Sequence, residues 1–162
     1  PEQIDIPVVI GGGIGHGRQL AAVLGMGADG VLIGTRVLVA EEVWSHAEVK
    51  KQIVNSGAAD STLVMSSFRN TSRVINNEFA RAVQSLELDG IKDFDQYWPY
   101  VKGANAFDAY KSGDWHKALL SMGQSAVFAD SVQPMEQIYD NLIDEAAAAL
   151  ERLRGLRTSK TG

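Results

Sequence analysis

The chain has 162 residues, 45% hydrophobic and 22% charged, the composition of an ordinary globular protein with mass enough for one core. Its 20 acidic and 15 basic residues give a formal charge of -5 with no long run of either sign, which argues against an electrostatic track for nucleic acid or for an anionic membrane. No apolar run reaches the roughly 18 residues that span a bilayer, and the zero cysteines leave no disulfide framework, thiolate nucleophile or Cys-based metal site, a pattern compatible with a cytoplasmic protein.

Pro1-Glu2-Gln3-Ile4-Asp5 lacks the basic start and apolar stretch of a signal peptide. The first strand signal is Ile6–Ile10, an apolar, β-branched run of the kind buried on both faces of a parallel sheet, stopped by Gly11-Gly12-Gly13. Arg18–Met26 reads as a helix with Leu20, Val23 and Leu24 on one side, closed by Gly25 or Gly27. Ala28-Asp29-Gly30 then turns into a second short strand, Val31-Leu32-Ile33. Two apolar strands joined by one helix make a βαβ unit with parallel strands.

Glu41–Asn55 is helical in pattern, with Val43, Ala47, Val49 and Ile53 among polar residues and Ser56-Gly57 closing it. Ser61–Ser67 fits a short strand, Arg69 and Arg73 a polar loop, and Val74–Leu86 an amphipathic helix striped by Val74, Ile75, Phe79 and Val83. Residues 88–103, with Gly90, Pro99 and Gly103, read as irregular or short helical structure. Helices are expected over Asn105–Lys111, over Trp115–Met122, and from Pro134 to about Leu153, with a frayed polar end over Arg157–Gly162. The organisation is one α/β domain: residues 1–56 carry the βαβα pattern, and 57–162 form a mainly helical extension packed on it.

The strongest chemical signal is a pair of glycine turns at the C-terminal ends of the two parallel strands, Gly11 to Gly17 and Gly34-Thr35-Arg36. Glycines let a backbone approach an anion, and N–H groups at the start of the following helix point at it. In (β/α)8 barrels the usual phosphate site lies in the loops after strands seven and eight, which two successive glycine-bearing strand ends match. Glycines after a strand also serve simply as tight turns. A dinucleotide-binding fingerprint would need an acidic residue at the end of the second strand. That strand ends in Ile33-Gly34-Thr35-Arg36, so a mononucleotide phosphate ranks first.

The run from Pro7 to Glu42, PVVIGGGIGHGRQLAAVLGMGADGVLIGTRVLVAEE, resembles the nitronate monooxygenase family, with a pattern shared by the related FMN-dependent enoyl-acyl carrier protein reductases. The resemblance continues more weakly through Ser67 to Arg81 and Gly113 to the last helix, covering nearly all of the chain. It implies the C-terminal portion of a (β/α)8 TIM barrel, its last two parallel strands, with a helical C-terminal extension. A complete barrel needs roughly 250 residues, so the rest would lie in a longer chain, as Pro1 in place of an initiator Met suggests, or in a homo-oligomer. The implied cofactor is FMN, its phosphate held by backbone N–H groups of Gly12, Gly13, Gly34 and Thr35 and by the Thr35 hydroxyl, with Ile14 and Gly15 shaping the loop. The resemblance implies oxidation of alkyl nitronates with O2, the alternatives being an FMN-dependent enoyl-acyl carrier protein reductase or a non-catalytic fragment or partner subunit, and the implied partner is a small-molecule substrate, a nitronate or an enoyl thioester. Many relatives have a polar residue where this chain has Leu32 and an aromatic where it has Val37, so flavin-ring contacts from that strand are not carried over.

In the family the catalytic base is a histidine on an earlier strand, so no catalytic residue is assigned within this chain, and the chain alone is expected to be inactive. His16 is read as a solvent-facing loop residue, and His46 and His116 as helix-surface residues. Three dispersed histidines lack metal-ligand spacing, and no metal site is expected. Arg36 and Arg73 are each able to meet a phosphate or a substrate anion, though scaffold pairing with an acidic neighbour is the commoner fate. Asp29 is expected to order its own turn. Gly123-Gln124-Ser125 either borders the pocket or only ends a helix, and the aromatics between Phe94 and Tyr110 are assigned to packing.

Overall fold

A computed structural model describes residues 5–158; Pro1–Ile4 and, from the expected frayed end, residues 159–162 lie outside the described residues. Strand β1 (Val9–Gly11) and strand β2 (Gly30–Leu32) pair in parallel, Val9 opposite Gly30 and Gly11 opposite Leu32, with helix α1 (Gly17–Gly25) between them in sequence. β1 starts at Val9 rather than the expected Ile6 and runs one residue further, to Gly11; Gly12 and Gly13 then end it at φ of +98° and +73°, left-handed backbone that glycine adopts without a Cβ penalty. At the other end of the pair the Asp29 N–H donates to the Val8 carbonyl at 2.9 Å, and the Asp29 carboxylate accepts the Val8 N–H at 2.8 Å. Asp29 thus ties the two strands together rather than only ordering its own turn.

Helix α1 lies along the last helix, α6 (Met135–Thr158), and Gly17 makes the approach possible. A Cβ at Gly17 would strike the Leu142 carbonyl, the Ala146 nitrogen and the Glu145 side chain. The Gly17 N–H donates to the Glu145 carboxylate at 2.7 Å. α6 starts after Pro134, its Met135 N–H held by the Glu42 carboxylate at 2.8 and 3.0 Å, a negative charge where the helix dipole favours one. It continues past the expected end near Leu153.

Beyond β2 the backbone makes a 3-10 turn over Thr35–Val39, and helix α2 (Ala47–Val54) begins later than the expected Glu41. The buried Lys50 ammonium explains the delay: it donates to the carbonyls of Ala40 at 2.6 Å and Glu41 at 3.1 Å, holding that segment outside the helix. His46 then caps α2, its Nδ1 accepting the Glu48 N–H at 3.2 Å.

The expected strand near Ser61 is present, but it belongs to a hairpin. β3 (Ser61–Val64) and β4 (Ser72–Ile75) are antiparallel, Ser61 opposite Ile75 and Val64 opposite Ser72. Arg73 therefore sits on a strand rather than in a loop, and Val74 and Ile75 are strand residues rather than the start of a helix. Helix α3 (Glu78–Leu88) starts after them, capped by Asn77, whose side-chain oxygen accepts the Ala80 N–H at 3.0 Å. The helix expected over Trp115–Met122 is a 3-10 turn, Trp115–Lys117, followed by an extended stretch beside β4. There the Ile75 N–H donates to the Leu120 carbonyl at 2.9 Å and the Met122 N–H to the Arg73 carbonyl at 3.3 Å.

Alternation along these strands separates two apolar cores. Ile75, Ala118, Leu120 and Met122 join Val39, Val49, Ile53, Ile138 and Leu142 in one. Val64 and Val74 join Val83 and Tyr97 in the other, with helix α4 (Phe94–Val101) packed on it. The Tyr97 hydroxyl donates to the Ile91 carbonyl at 2.8 Å, and burial, with the Glu87 charge second, raises the Tyr97 pKa above 10.0. Helix α5 (Gly103–Ser112) covers the first core through Ala109. Of the aromatics assigned to packing, Tyr97 is buried and Tyr100 and Tyr110 are half-buried, while Phe94, Trp98 and Phe107 stay exposed; Phe68 meets Phe94 and Tyr97 edge-on, Phe79 meets Tyr100, and Trp44 meets Phe107 and Tyr110. Among the described residues no helix is long and apolar enough to cross a membrane.

Candidate anion-binding cleft

The C-terminal ends of β1 and β2 open onto a cleft of about 430 Å³. Gly12, Gly13, Ile14, Gly34 and Thr35, the five residues proposed from sequence for the cofactor, all line it. So do Leu32, Leu38 and Met122, which give it apolar walls, and Arg73, Ser121, Gly123 and Ser125. Val37, the second departure from the family pattern, packs against the first core instead.

The donors around the cleft suit an anion. Among the described residues the N–H groups of Gly13, Gly34 and Thr35 have no protein acceptor. The buried Thr35 hydroxyl accepts the Gly123 N–H at 2.8 Å, which leaves its own proton to donate into the cleft. A Cβ built on Gly12, Gly13 or Gly34 meets nothing within 4 Å, so a side chain there would project into open space that a phosphate needs for close approach. The backbone donors, the hydroxyl and the apolar walls together suit a phosphate carried on an apolar group.

The glycine loop is held by a residue that the sequence reading did not single out. The Gln19 side-chain oxygen accepts the Gly15 and His16 N–H groups at 2.9 and 3.1 Å, while its amide donates to the Gly13 carbonyl at 2.9 Å. The signal was present: Gln19 stands three residues after the helix cap, the position from which a glutamine reaches back to the loop.

His16 is that cap, half-buried rather than solvent-facing. Its Nδ1 lies 3.1 Å from both the Arg18 N–H and a Glu145 carboxylate oxygen, and its ring meets Phe128 edge-on at 5.4 Å. His46 caps α2 and His116 stacks on Trp115 at 3.8 Å, so none of the three histidines lines the cleft. The two arginines divide. Arg36 is buried away from the cleft, its Nη1 3.5 Å from Asp130. Arg73 lines the cleft from β4. Gly123 and Ser125 border the cleft rather than merely ending a helix.

A profile of the nitronate monooxygenase family matches residues 1–145. Over 94% of its length the chain is 31% identical to a probable nitronate monooxygenase of Staphylococcus haemolyticus, of which it covers 42%. It is 26% identical over 96% of its length to a hydroxy-methyl-oxo-octahydroindene-carboxyl-CoA dehydrogenase of Rhodococcus jostii, covering 54% of that protein. Among solved structures it resembles FabK from Thermotoga maritima, with a TM-score of 0.86 at 29% identity, over 96% of this chain and 49% of FabK. The chain thus spans about half the length of these proteins. With the α/β fold, the paired glycine turns and the match over residues 1–145 in agreement, the chain belongs to the nitronate monooxygenase family.

Proposed function

We propose that this chain is the phosphate-binding part of an FMN-dependent oxidoreductase that oxidises alkyl nitronates with molecular oxygen. The observation that carries the reading is the convergence of two glycine strand ends and the Thr35 hydroxyl on one cleft that, among the described residues, has no acidic lining residue. In this reading Gly12, Gly13, Gly34 and Thr35 grip the FMN phosphate, Ile14 shapes the loop, and Leu32 and Met122 offer apolar contact. Bound FMN supplies the redox chemistry, accepting electrons from the nitronate and passing them to oxygen.

Residues 1–56 are then the last two strand–helix units of a (β/α)8 barrel, and 57–162 pack on them within the same domain. Support comes from the strands themselves: Val9 is 61% exposed and Leu32 69% exposed, although both belong to apolar runs suited to burial. The remainder of the barrel, in the same protein or in a homo-oligomer, would cover them and bring the catalytic histidine.

A second reading, an FMN-dependent enoyl-thioester reductase, is favoured by the likeness to FabK and by the Rhodococcus relative, whose name is that of a CoA-ester dehydrogenase. Turnover assays on the intact protein separate the two. Nitronate consumption with oxygen and without nicotinamide supports the first reading. Nicotinamide oxidation that requires an enoyl thioester sinks the first and supports the second.

A further inference from the structure

We infer that Arg73 is the cation that binds the oxyanion of the cleft's ligand, an inference that rests on the flavin reading of that cleft. Among the described residues Arg73 is the one charged residue that lines the cleft, together with neutral donors and apolar side chains. The chain carries a formal charge of -5, yet among the described residues no carboxylate lines this cleft. A lone positive group there concentrates anions.

The pairing of Arg73 is unusual for a half-buried guanidinium. Its Nη1 donates to the Ser61 hydroxyl at 3.2 Å and to the Ser61 carbonyl at 3.5 Å, and both partners are neutral. Among the described residues it has no carboxylate partner, whereas Arg36 has Asp130 and Arg154 has Glu151. Removing an arginine from water without a counter-charge is costly, and the cost is met when a ligand supplies the charge. A guanidinium has five N–H donors in a planar fork, and the one engaged nitrogen leaves the rest of the fork for a bidentate oxyanion.

The position is also fixed in advance. Arg73 lies on β4 between β3 and the 118–122 stretch. Its carbonyl accepts the Met122 N–H, and the next residue, Gly123, donates to the Thr35 hydroxyl. Two consecutive residues therefore couple the strand that carries the arginine to the turn that carries the phosphate donors. The oxyanion has two possible sources, the cofactor phosphate and the substrate.

The test uses the intact protein stripped of flavin, titrated by fluorescence with FMN and with riboflavin, which lacks the phosphate. Arg73→Met removes the charge, Arg73→Gln removes it while keeping a donor for Ser61, and Arg73→Lys retains it. Ser61→Ala removes only the hydroxyl partner. If the oxyanion is the phosphate, both neutral variants weaken FMN by about 10- to 100-fold, as for a lost charged hydrogen bond, and leave riboflavin unchanged. Lys then recovers part of the loss, and Ser61→Ala matches the wild type. If the oxyanion belongs to the substrate, FMN affinity holds while KM for an anionic nitronate rises by about tenfold or more at constant kcat. The inference is overturned if the folded Arg73→Gln protein keeps wild-type values for both. Wild-type protein that binds neither FMN nor riboflavin overturns the flavin reading, and this inference with it.

Discussion

In the β1–α1–β2 unit the one buried residue of the helix is Gly17, and Val9 and Leu32 stand largely exposed, whereas the chain from Val39 onward holds two apolar cores. The first region is ordered by hydrogen bonds: Gln19 on the glycine loop, Asp29 across the strand starts and Glu145 on Gly17. The second is ordered by burial, which dominates folding free energy. In the proposed reading, ligand binding falls to the first region and stability to the second. A region that keeps its backbone donors free presents them to a ligand, and a region that buries its side chains positions the first.

Substitutions that act on one region and spare the other sharpen that contrast. The largest effect is expected from Gly12→Val, which places a β-branched side chain in the cleft at φ +98°. FMN affinity should fall by about 100-fold, the loss of one strong charged hydrogen bond, while folding loses only about 1–2 kcal/mol. Isothermal titration and denaturant melts measure the two; a larger stability loss than binding loss would break the comparison.

Asn77→Ala should do the reverse. The Asn77 side chain accepts the Ala80 N–H and donates to the carbonyls of Trp115 and Ala118, each at 2.7 Å. Removing it deletes a helix cap and leaves buried groups unpaired, a loss of about 3 kcal/mol of stability in denaturant melts, with FMN affinity unchanged in the folded protein. Thr35→Val acts on the boundary between the regions. It orphans the Gly123 N–H and removes a ligand donor, so about 1 kcal/mol of stability and about tenfold in FMN affinity should go together.

The smallest effect is alkaline. Burial raises the phenol pKa of Tyr97, with Glu87 contributing second, and burial raises that of Tyr110, both from 10.0. A folded pKa above the unfolded one gives stability that is complete below pH 10 and lost as pH rises through the folded value. Stability curves taken between pH 9 and about 12 should fall, and Tyr97→Phe should flatten the fall. A curve that rises would contradict the burial of these rings.

What could be read from the sequence followed the range of the interactions. The β1–α1–β2 unit and its glycine turns were legible because every signal lies within a few residues of the structure it makes. The hairpin was not: Val74, Ile75, Phe79 and Val83 fit a helical stripe, and only pairing with Ser61–Val64 makes Val74 and Ile75 a strand. Ala118–Met122 failed as a helix for the same reason, since its edge on β4 comes from residues far back in the chain. Arg36 and Arg73 were indistinguishable in sequence because Asp130, which claims Arg36, stands 94 positions away.

The most direct test of the central claim is the visible absorption spectrum of the intact purified protein, with its pigment released by denaturation and identified. A flavin spectrum and released FMN are the predicted result. Protein that shows no flavin and takes up none when FMN is added would contradict the assignment of the two glycine turns as a phosphate site.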